Sequence, residues 1–400
     1  MADRSCVRLR APGSKSQTQR LLIVASLAEG ESELVEPLDC DDTEHLREAL
    51  TELGAAIDVR AGRWRVRGGL AGRATPRHAL DCGDGGTTAR FLAPLALLLD
   101  GELLLDGSAR LRERPLGGLL DALRALGVAV RCLALPEALP VGLSRTRPPR
   151  DGARIAVDAS RSSQFASALL LVGPRLPGGL RLELDGAPVS RPYLELTLHA
   201  MHAFGARVSA EGGRYVVAPG PYVPCRVVVE ADWSSAAFLL AGGFIAGREV
   251  VLENVDERSA QGDRAIVAHL AELARRGRHR LDLTDCPDLV APLAAAAVFA
   301  RDPTELVGLA HARLKESDRL AVLAEGLRLA GVTVACREEG LCIEPGAVLR
   351  AAALDPRGDH RMAMAFGLLS LRDERLSVTD RACVAKSYPD FWRDLERLRA

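Results

Sequence analysis

Lysine is almost missing from this chain of 400 residues: Lys15, Lys315 and Lys386 stand against 49 arginines, with one asparagine (Asn254) and four glutamines. Arginine supplies positive charge almost everywhere. A lysine that remains marks a place where a compact, titratable ammonium does what a planar guanidinium does poorly. All three lie in dense polar motifs, PGSKS, RLKESDR and VAKSYPD, beside hydroxyls and carboxylates. A charge excess is missing too, since 52 basic residues face 53 acidic ones for a net charge of −1. That balance argues against a general nucleic-acid binder. Long apolar runs are absent: the stretches at 289–300 and 236–247 reach a dozen residues, and a membrane span needs about 20. The opening MADRSCVRLRAPGSK lacks the apolar core of a signal peptide, and the nine cysteines stand singly without a CxxC pair. A protein of the reducing cytoplasm, with no membrane partner, is expected.

What is present is ordinary globular material. Apolar residues make up 48% and charged residues 26%, enough to exclude a disordered chain. The length suits two cores better than one. One pattern recurs six times: a small polar residue or pair, then an Ala/Leu-rich run of helical length. The instances are KSQTQRLLIVASLA, GGTTARFLAPLALL, SSQFASALLLVG, DWSSAAFLLAGGFIA, PDLVAPLAAAAVFA and DHRMAMAFGLLSL. Ser, Thr and Asp at such starts are expected as N-caps, and the all-round apolar character predicts buried helices. Anchors at Ser16, Thr87, Ser162, Ser234, Asp288 and His360 are spaced by 71, 75, 72, 54 and 72 residues. The fourth interval is short by about a hairpin.

Amphipathic helices ending in glycine and feeding a strand interleave with this series: LREALTELGAAIDV, LLDALRALGVAVRC, LTLHAMHAFGARVSA, LAEGLRLAGVTVAC and a degraded LAELARRGRHRLDL. Six α/β units of this length are too long for a common solenoid and are expected to fold as two groups of three. If equivalent helices aim their N-termini at one centre, their N–H groups and dipoles suit a ligand with several acidic groups.

Twelve motifs in order then carry a resemblance. They are PGSKSQTQR (12–20), DCDDTEHL (39–46), GDGGTTARF (83–91), GSARLRERPLGGLLDALRALG (107–127), SRSSQF (160–165), VSRPYLELTL (189–198), VEADWSSAAF (229–238), SAQGD (259–263), DCPDLVAPLA (285–294), RLKESDRL (313–320), GDHRMAMAF (358–366) and CVAKSYPDFW (383–392). In them the chain resembles the 5-enolpyruvylshikimate-3-phosphate synthase family along almost its whole length. The resemblance implies transfer of the enolpyruvyl group of phosphoenolpyruvate to the 5-hydroxyl of shikimate 3-phosphate, with release of phosphate and no metal or organic cofactor. It implies an α/β fold, a two-domain inside-out α/β barrel of six βαβαββ-type units, three per domain, with the fourth unit shortened. The expected domains are 14–228, and 1–13 with 229–400, with the active site in the cleft between them in a cytoplasmic monomer.

The resemblance also assigns residues. Arg114, Arg319 and Arg361 match arginines that hold phosphoenolpyruvate, and guanidinium forks suit its carboxylate and phosphate. Gly86, Gln164, Lys15 and Lys386 join them. Ser16, Arg20, Ser162, Ser163, Gln164, Ser190 and Tyr193 match positions that hold shikimate 3-phosphate, together with Lys15, Asp288, His311 and Lys315. A surface salt bridge would account for any one arginine, and helix capping for any one serine; motif position singles these out. Asp288 and Glu316 match carboxylates that handle the hydroxyl proton and the methylene proton. Lys15 and Lys386 are also candidates for proton transfer, and the sequence leaves the assignment among the four open.

Three features depart from the family pattern. Asp84 stands where Asn is usual and places negative charge near a substrate phosphate. Gly85 stands where Ala or Ser is usual and softens the loop. The fourth unit is trimmed between Asp263 and Asp285. His311 falls where relatives carry Asn or His. Two other enzyme families and one inactive class compete. UDP-N-acetylglucosamine enolpyruvyl transferase requires a reactive cysteine where this chain has Ala109. RNA 3′-phosphate cyclases require a nucleotide-accepting His motif that is not seen. A catalytically silent binding relative is opposed by the retained lysines, carboxylates and arginines.

Overall fold

The computed structural model describes residues 6–70, 74–160, 162–186 and 189–399. Met1–Ser5, and Arg161 of the SRSSQF motif, lie outside the described residues. The chain forms two compact units, one of Gly13–Val229 and one of Met1–Pro12 with Glu230–Ala400.

The unit of Gly13–Val229 is built from three four-stranded sheets of one design. A parallel pair leads, and an antiparallel hairpin continues it. The pairs are Arg226–Val228 with Glu31–Val35, Ala74–Asp81 with Asp100–Asp106, and Ala153–Asp158 with Leu180–Asp185. The hairpins follow as Ala56–Arg60/Arg63–Arg67, Val128–Cys132/Val141–Arg145 and Val208–Glu211/Arg214–Val217. The helices Lys15–Leu27, Gly86–Leu92 and Gln164–Val172 pack together. Leu22, Ile23, Val24, Leu92, Leu170 and Leu171 are fully buried among them. Helices surrounded by helices need apolar residues on every side, and this is why these segments show no amphipathic stripe. The sheets carry the alternation instead: along Arg63–Arg67 only Trp64 and Val66 are buried.

The second unit repeats the plan with parallel pairs Val7–Leu9/Val250–Leu252, His279–Asp282/Thr304–Val307 and Ala352–Leu354/Leu376–Val378. Its central helices are Trp233–Ala246, Val290–Ala297 and His360–Leu369. Among the described residues only the middle pair carries a hairpin, Val334–Arg337/Gly340–Ile343. The hairpin missing after Val250–Leu252 is the 54-residue interval seen structurally. The sixth pair lacks one as well, and spacing could not show this because no seventh anchor follows it.

Helix ends bear out the caps expected at the starts of DWSSAAF and DHRMAMAF and place the others differently. The side-chain caps are Ser14, Asp232 and Asp359, which accept from the N–H groups of Gln17, Ser234 and Arg361. The anchors Ser16, Ser234 and His360 lie just inside their helices, so their side chains are released from capping. Thr87 lies within a helix whose N-cap, Gly85, has no side chain to offer, and Asp288 lies in the short turn Pro287–Leu289 ahead of its helix. The glycine-ended series is as read: Gly54, Gly127, Gly205 and Gly331 all have positive φ after their helices, the usual left-handed C′ position.

Packing between two helices of the second unit sets a testable limit. A methyl added at Gly326, in Arg319–Leu329, would be driven into the ring of Phe366 in His360–Leu369. Gly326→Ala is expected to lower stability by about 1–3 kcal/mol, although alanine is the better helix former. A urea-unfolding midpoint equal to or above that of the natural chain would contradict this packing.

Candidate active site

In the unit of Gly13–Val229, polar side chains gather at the starts of the buried helices. Lys15 opens its helix and donates from Nζ to Asp42 Oδ2 at 2.7 Å. Asp42 sits in the first turn of Asp41–Glu52, where the helix dipole favours a carboxylate. Its carbonyl accepts from Thr88 Oγ1 at 3.1 Å, and Gln19 Nε2 donates to that same hydroxyl at 3.1 Å. Three helices thereby hold the pair in place.

One turn along, Arg20 is only 2% exposed. Its donors go to neutral oxygens: Thr197 Oγ1 at 2.9 Å, the Ser16 carbonyl at 2.8 Å, the Tyr193 carbonyl at 3.1 Å and Ser167 Oγ at 3.5 Å. The guanidinium also lies over the rings of Phe91 and Tyr193, at 5.2 and 5.9 Å from their centroids. Burial lowers its pKa to about 10, opposed by Tyr193, so it stays charged at neutral pH. A buried cation held by neutral partners is completed well by an anion.

Gln164 is gripped from both ends. Arg90 donates to its carbonyl oxygen, and its Nε2 donates to Thr87 Oγ1 at 3.1 Å. Arg90 is itself fixed by the Pro115 carbonyl at 2.9 Å. Ser162 Oγ accepts from the Gln164 N–H at 3.2 Å, and Ser163, 3% exposed, holds the N-cap position. Ser190 is buried with φ of 56°, a left-handed conformation unusual for serine. Gly86 is needed for contact rather than freedom: a Cβ there would fall 2.6 Å from Cζ of Arg114. At Gly85 a Cβ would meet the Thr88 side chain at 2.6 Å, so this loop has closed around glycine. The carboxylate of Asp84 takes a hydrogen bond from Ser108.

The second unit has a denser centre, organised around Arg319, which is 1% exposed. Nη1 donates to Asp288 Oδ1 at 2.6 Å, Nη2 to Glu316 Oε2 at 2.8 Å and Nε to Asp359 Oδ2 at 2.9 Å. A guanidinium has five N–H donors, so one on each terminal nitrogen is not used by these bonds. Arg361 Nη2 lies 3.1 Å from Asp288 Oδ2, and Lys386 Nζ lies 3.9 Å from Glu316 Oε1. Asp359 is fully buried, accepts from Ser317 Oγ at 3.0 Å, and caps the helix that carries Arg361.

Electrostatics separates the titrating groups. Burial would raise the pKa of Asp288, but Arg361, Lys315 and Arg319 outweigh it and hold the carboxyl well below its usual range. His311 is pushed down to about 4, first by burial and then by Lys315. At neutral pH it is an uncharged hydrogen-bonding group, as an asparagine would be, and among the described residues its buried Nε2 has no hydrogen-bond partner.

The proposed residues therefore fall into two groups. Lys15, Ser16, Arg20, Gly86, Arg114, Ser162, Ser163, Gln164, Ser190 and Tyr193 belong to the unit of Gly13–Val229; Asp288, His311, Lys315, Glu316, Arg319, Arg361 and Lys386 belong to the other. Within the second, ion pairs tie together Asp288, Glu316, Arg319, Arg361 and Lys386, while the charge of Lys315 acts on both Asp288 and His311. Sequence reading missed Asp42 and Asp359, although both stand inside quoted motifs. Buried lysines and arginines are often balanced by a carboxylate, and that tendency was the available signal. Thr197 and Ser167 gave no signal, being hydroxyls inside largely apolar helices.

The comparisons with known proteins agree in range and kind. The family model for EPSP synthase (3-phosphoshikimate 1-carboxyvinyltransferase) matches residues 6–395. The 3-phosphoshikimate 1-carboxyvinyltransferase of Methanospirillum hungatei is 36% identical over 416 residues, covering 98% of this chain and 96% of its own. That of Thiobacillus denitrificans is 38% identical over 415 residues, with coverage of 98% and 96%. A solved EPSP synthase from Acinetobacter baumannii, 24% identical, superposes with a TM-score of 0.78 over 98% of this chain and 95% of that one. With the matched residues running through both units, the chain belongs to the EPSP synthase family.

Proposed function

We propose that the chain transfers the enolpyruvyl group of phosphoenolpyruvate to the 5-hydroxyl of shikimate 3-phosphate, yielding 5-enolpyruvylshikimate 3-phosphate and phosphate. The observation that carries this reading, beside family membership, is the Arg319 centre. It combines an ionised carboxylate at Asp288, a second carboxylate at Glu316, and cations from Arg319, Arg361 and Lys386. Asp288 accepts the proton of the 5-hydroxyl as that oxygen bonds to C2 of phosphoenolpyruvate. The C2–C3 π pair takes a proton at C3, delivered from the side of Glu316 and Lys386. Loss of a proton from C3 then restores the double bond as phosphate leaves C2. Arg319 and Arg361 hold the carboxylate and phosphate of phosphoenolpyruvate.

The unit of Gly13–Val229 contributes fixed binding groups. Arg20, with its neutral partners, meets the phosphate of shikimate 3-phosphate with Ser16, Ser162, Ser163 and Ser190, while Tyr193 lies against the ring. Lys15, Gly86, Arg114 and Gln164 serve phosphoenolpyruvate. Ala109 opens the short helix Ala109–Arg112, and no cysteine occurs in GSARLRERP, so the reactive thiol of the UDP-N-acetylglucosamine enzymes has no counterpart in this segment.

Mass spectrometry of the product from both substrates tests the reading. Lys15→Met is expected to lower kcat by at least about 100-fold, as loss of a fixed charge at a reacting oxygen does. A Lys15→Met protein within about threefold of the natural kcat would remove Lys15 from the reaction.

A further inference from the structure

The SAQGD motif ends in an acid that the mechanism above leaves unused. Asp263 is 3% exposed in the turn Gly262–Ala265. One carboxyl oxygen is hydrogen-bonded to Ser234 in the first turn of Trp233–Ala246, and among the described residues the other, Oδ1, is buried with no hydrogen-bond partner. The turn is tied down. Gln261 Oε1 accepts from the Trp233 N–H at 3.0 Å, and its Nε2 donates to the Ala231 carbonyl at 2.8 Å and to Glu230 Oε2 at 3.1 Å. Glu230 also accepts from Ser259 Oγ at 2.5 Å. A buried carboxyl with an orphaned oxygen, on a turn braced this firmly, is not a solvated loop acid.

Segments around it bring charged or titratable groups. Asp232 caps the helix of Ser234, Asp288 and Cys286 come from the segment at Pro287–Leu289, and Arg361 comes from His360–Leu369. Asp288 in turn is paired with Arg319 and Arg361 and lies in the field of Lys315 and Glu316. Asp263 is therefore a further carboxyl near the one assigned as base.

We propose that Asp263 is a positioning residue for proton transfer at Asp288: ionised, it makes the Asp288 carboxylate the stronger base, and protonated, it leaves Asp288 weaker. The inference rests on the transferase reading above. In the step concerned the O–H bond of the 5-hydroxyl breaks, its oxygen bonds to C2, and the proton passes to Asp288, which loses its negative charge. A second negative charge nearby favours that loss by repulsion, strongly so where water is excluded. Both forms of Asp263 are populated at neutral pH, because burial and then the Asp288 charge push it up to about 7, opposed by Arg361 and the Ser234 hydrogen bond, while Asp232 adds to the rise.

The test is kcat for phosphate release as a function of pH in the natural chain, Asp263→Asn and Ser234→Ala. The natural chain is expected to gain activity through an inflection near pH 7. Asp263→Asn should lose that inflection, stay about tenfold below the alkaline plateau, and keep both KM values within about twofold. Ser234→Ala removes a hydrogen bond that favours the ionised form, so its inflection should move to higher pH. Stability gives a readout without substrates. A carboxyl raised from 3.8 to about 7 on folding binds more protons folded than unfolded in that window. The natural chain should therefore lose stability relative to Asp263→Asn as pH rises through it. A parallel stability curve, or one kcat profile shared by all three proteins, would overturn the inference alone. Absence of turnover in the natural chain would overturn the reading beneath it.

Discussion

Arg319→Met is expected to remove detectable turnover and to destabilise the unit of Glu230–Ala400 by about 3–5 kcal/mol, the usual cost of stripping one partner from a buried ion-pair network. The size follows from the count of acids involved. Asp288, Glu316 and Asp359 each take a hydrogen bond from this one guanidinium, and Asp359 is fully buried. Methionine fills much of the volume and supplies none of the charge. Arg361 and Lys386 can still face Asp288 and Glu316, but Asp359 keeps only Ser317 and the Arg361 N–H among the donors described above. Chemical unfolding should show the loss directly. Arg319→Lys should recover part of the stability and little of the activity, since an ammonium cannot present donors to three carboxylates in one plane. A stable, active Arg319→Met protein would remove the centre from the account.

Asp288→Asn is the sharper probe of chemistry. The amide retains the shape and accepts a hydrogen bond from Arg319, but it is no base. We expect kcat to fall by about 10²–10⁴-fold, the usual worth of a positioned general base, with modest changes in KM. Stability should respond in the acid range. Asp288 is held well below its ordinary value of 3.8 in the folded chain, so its contribution is present above that value and is lost as pH falls toward the folded one. Asp288→Asn should therefore flatten the acid limb of the stability curve. Its removal also relieves Asp263 of the neighbouring charge that raises it. A single substitution thus reports on both carboxyls, and kcat within about tenfold of the natural chain would move the base elsewhere.

The fold was legible where local chemistry repeats. Helices lined by apolar residues on every side announced that they lie inside their units, and glycines such as Gly127 and Gly331 announced where amphipathic helices stop and strands begin. The fourth unit's missing hairpin showed as a short interval. The sixth unit's did not, because an interval needs an anchor at both ends. Caps held at Asp232 and Asp359, which open their runs, and fell one residue ahead of KSQTQRLL at Ser14, because Ser14 and Ser16 are alike in type and only backbone geometry decides which one turns back on the helix.

At the site, motif position found the residues expected to touch ligand better than those expected to support them. Lys15, Arg319 and Arg361 stood out through the scarcity of lysine or the matched motifs. The carboxylates that balance them, Asp42 and Asp359, did not, since pairing across 27 or 40 residues of sequence is invisible until helices are docked. Asp84 also changes meaning in the folded chain. Its carboxylate is engaged by Ser108, which disperses the negative charge that raised concern about substrate phosphate.

The central claim is carboxyvinyl transfer between two substrates, and phosphate release by the purified full chain tests it most directly. With shikimate 3-phosphate and phosphoenolpyruvate both present, release should match product one for one, and it should fall to background when either is withheld. Release from phosphoenolpyruvate alone, or none from folded protein saturated with both, would contradict the account.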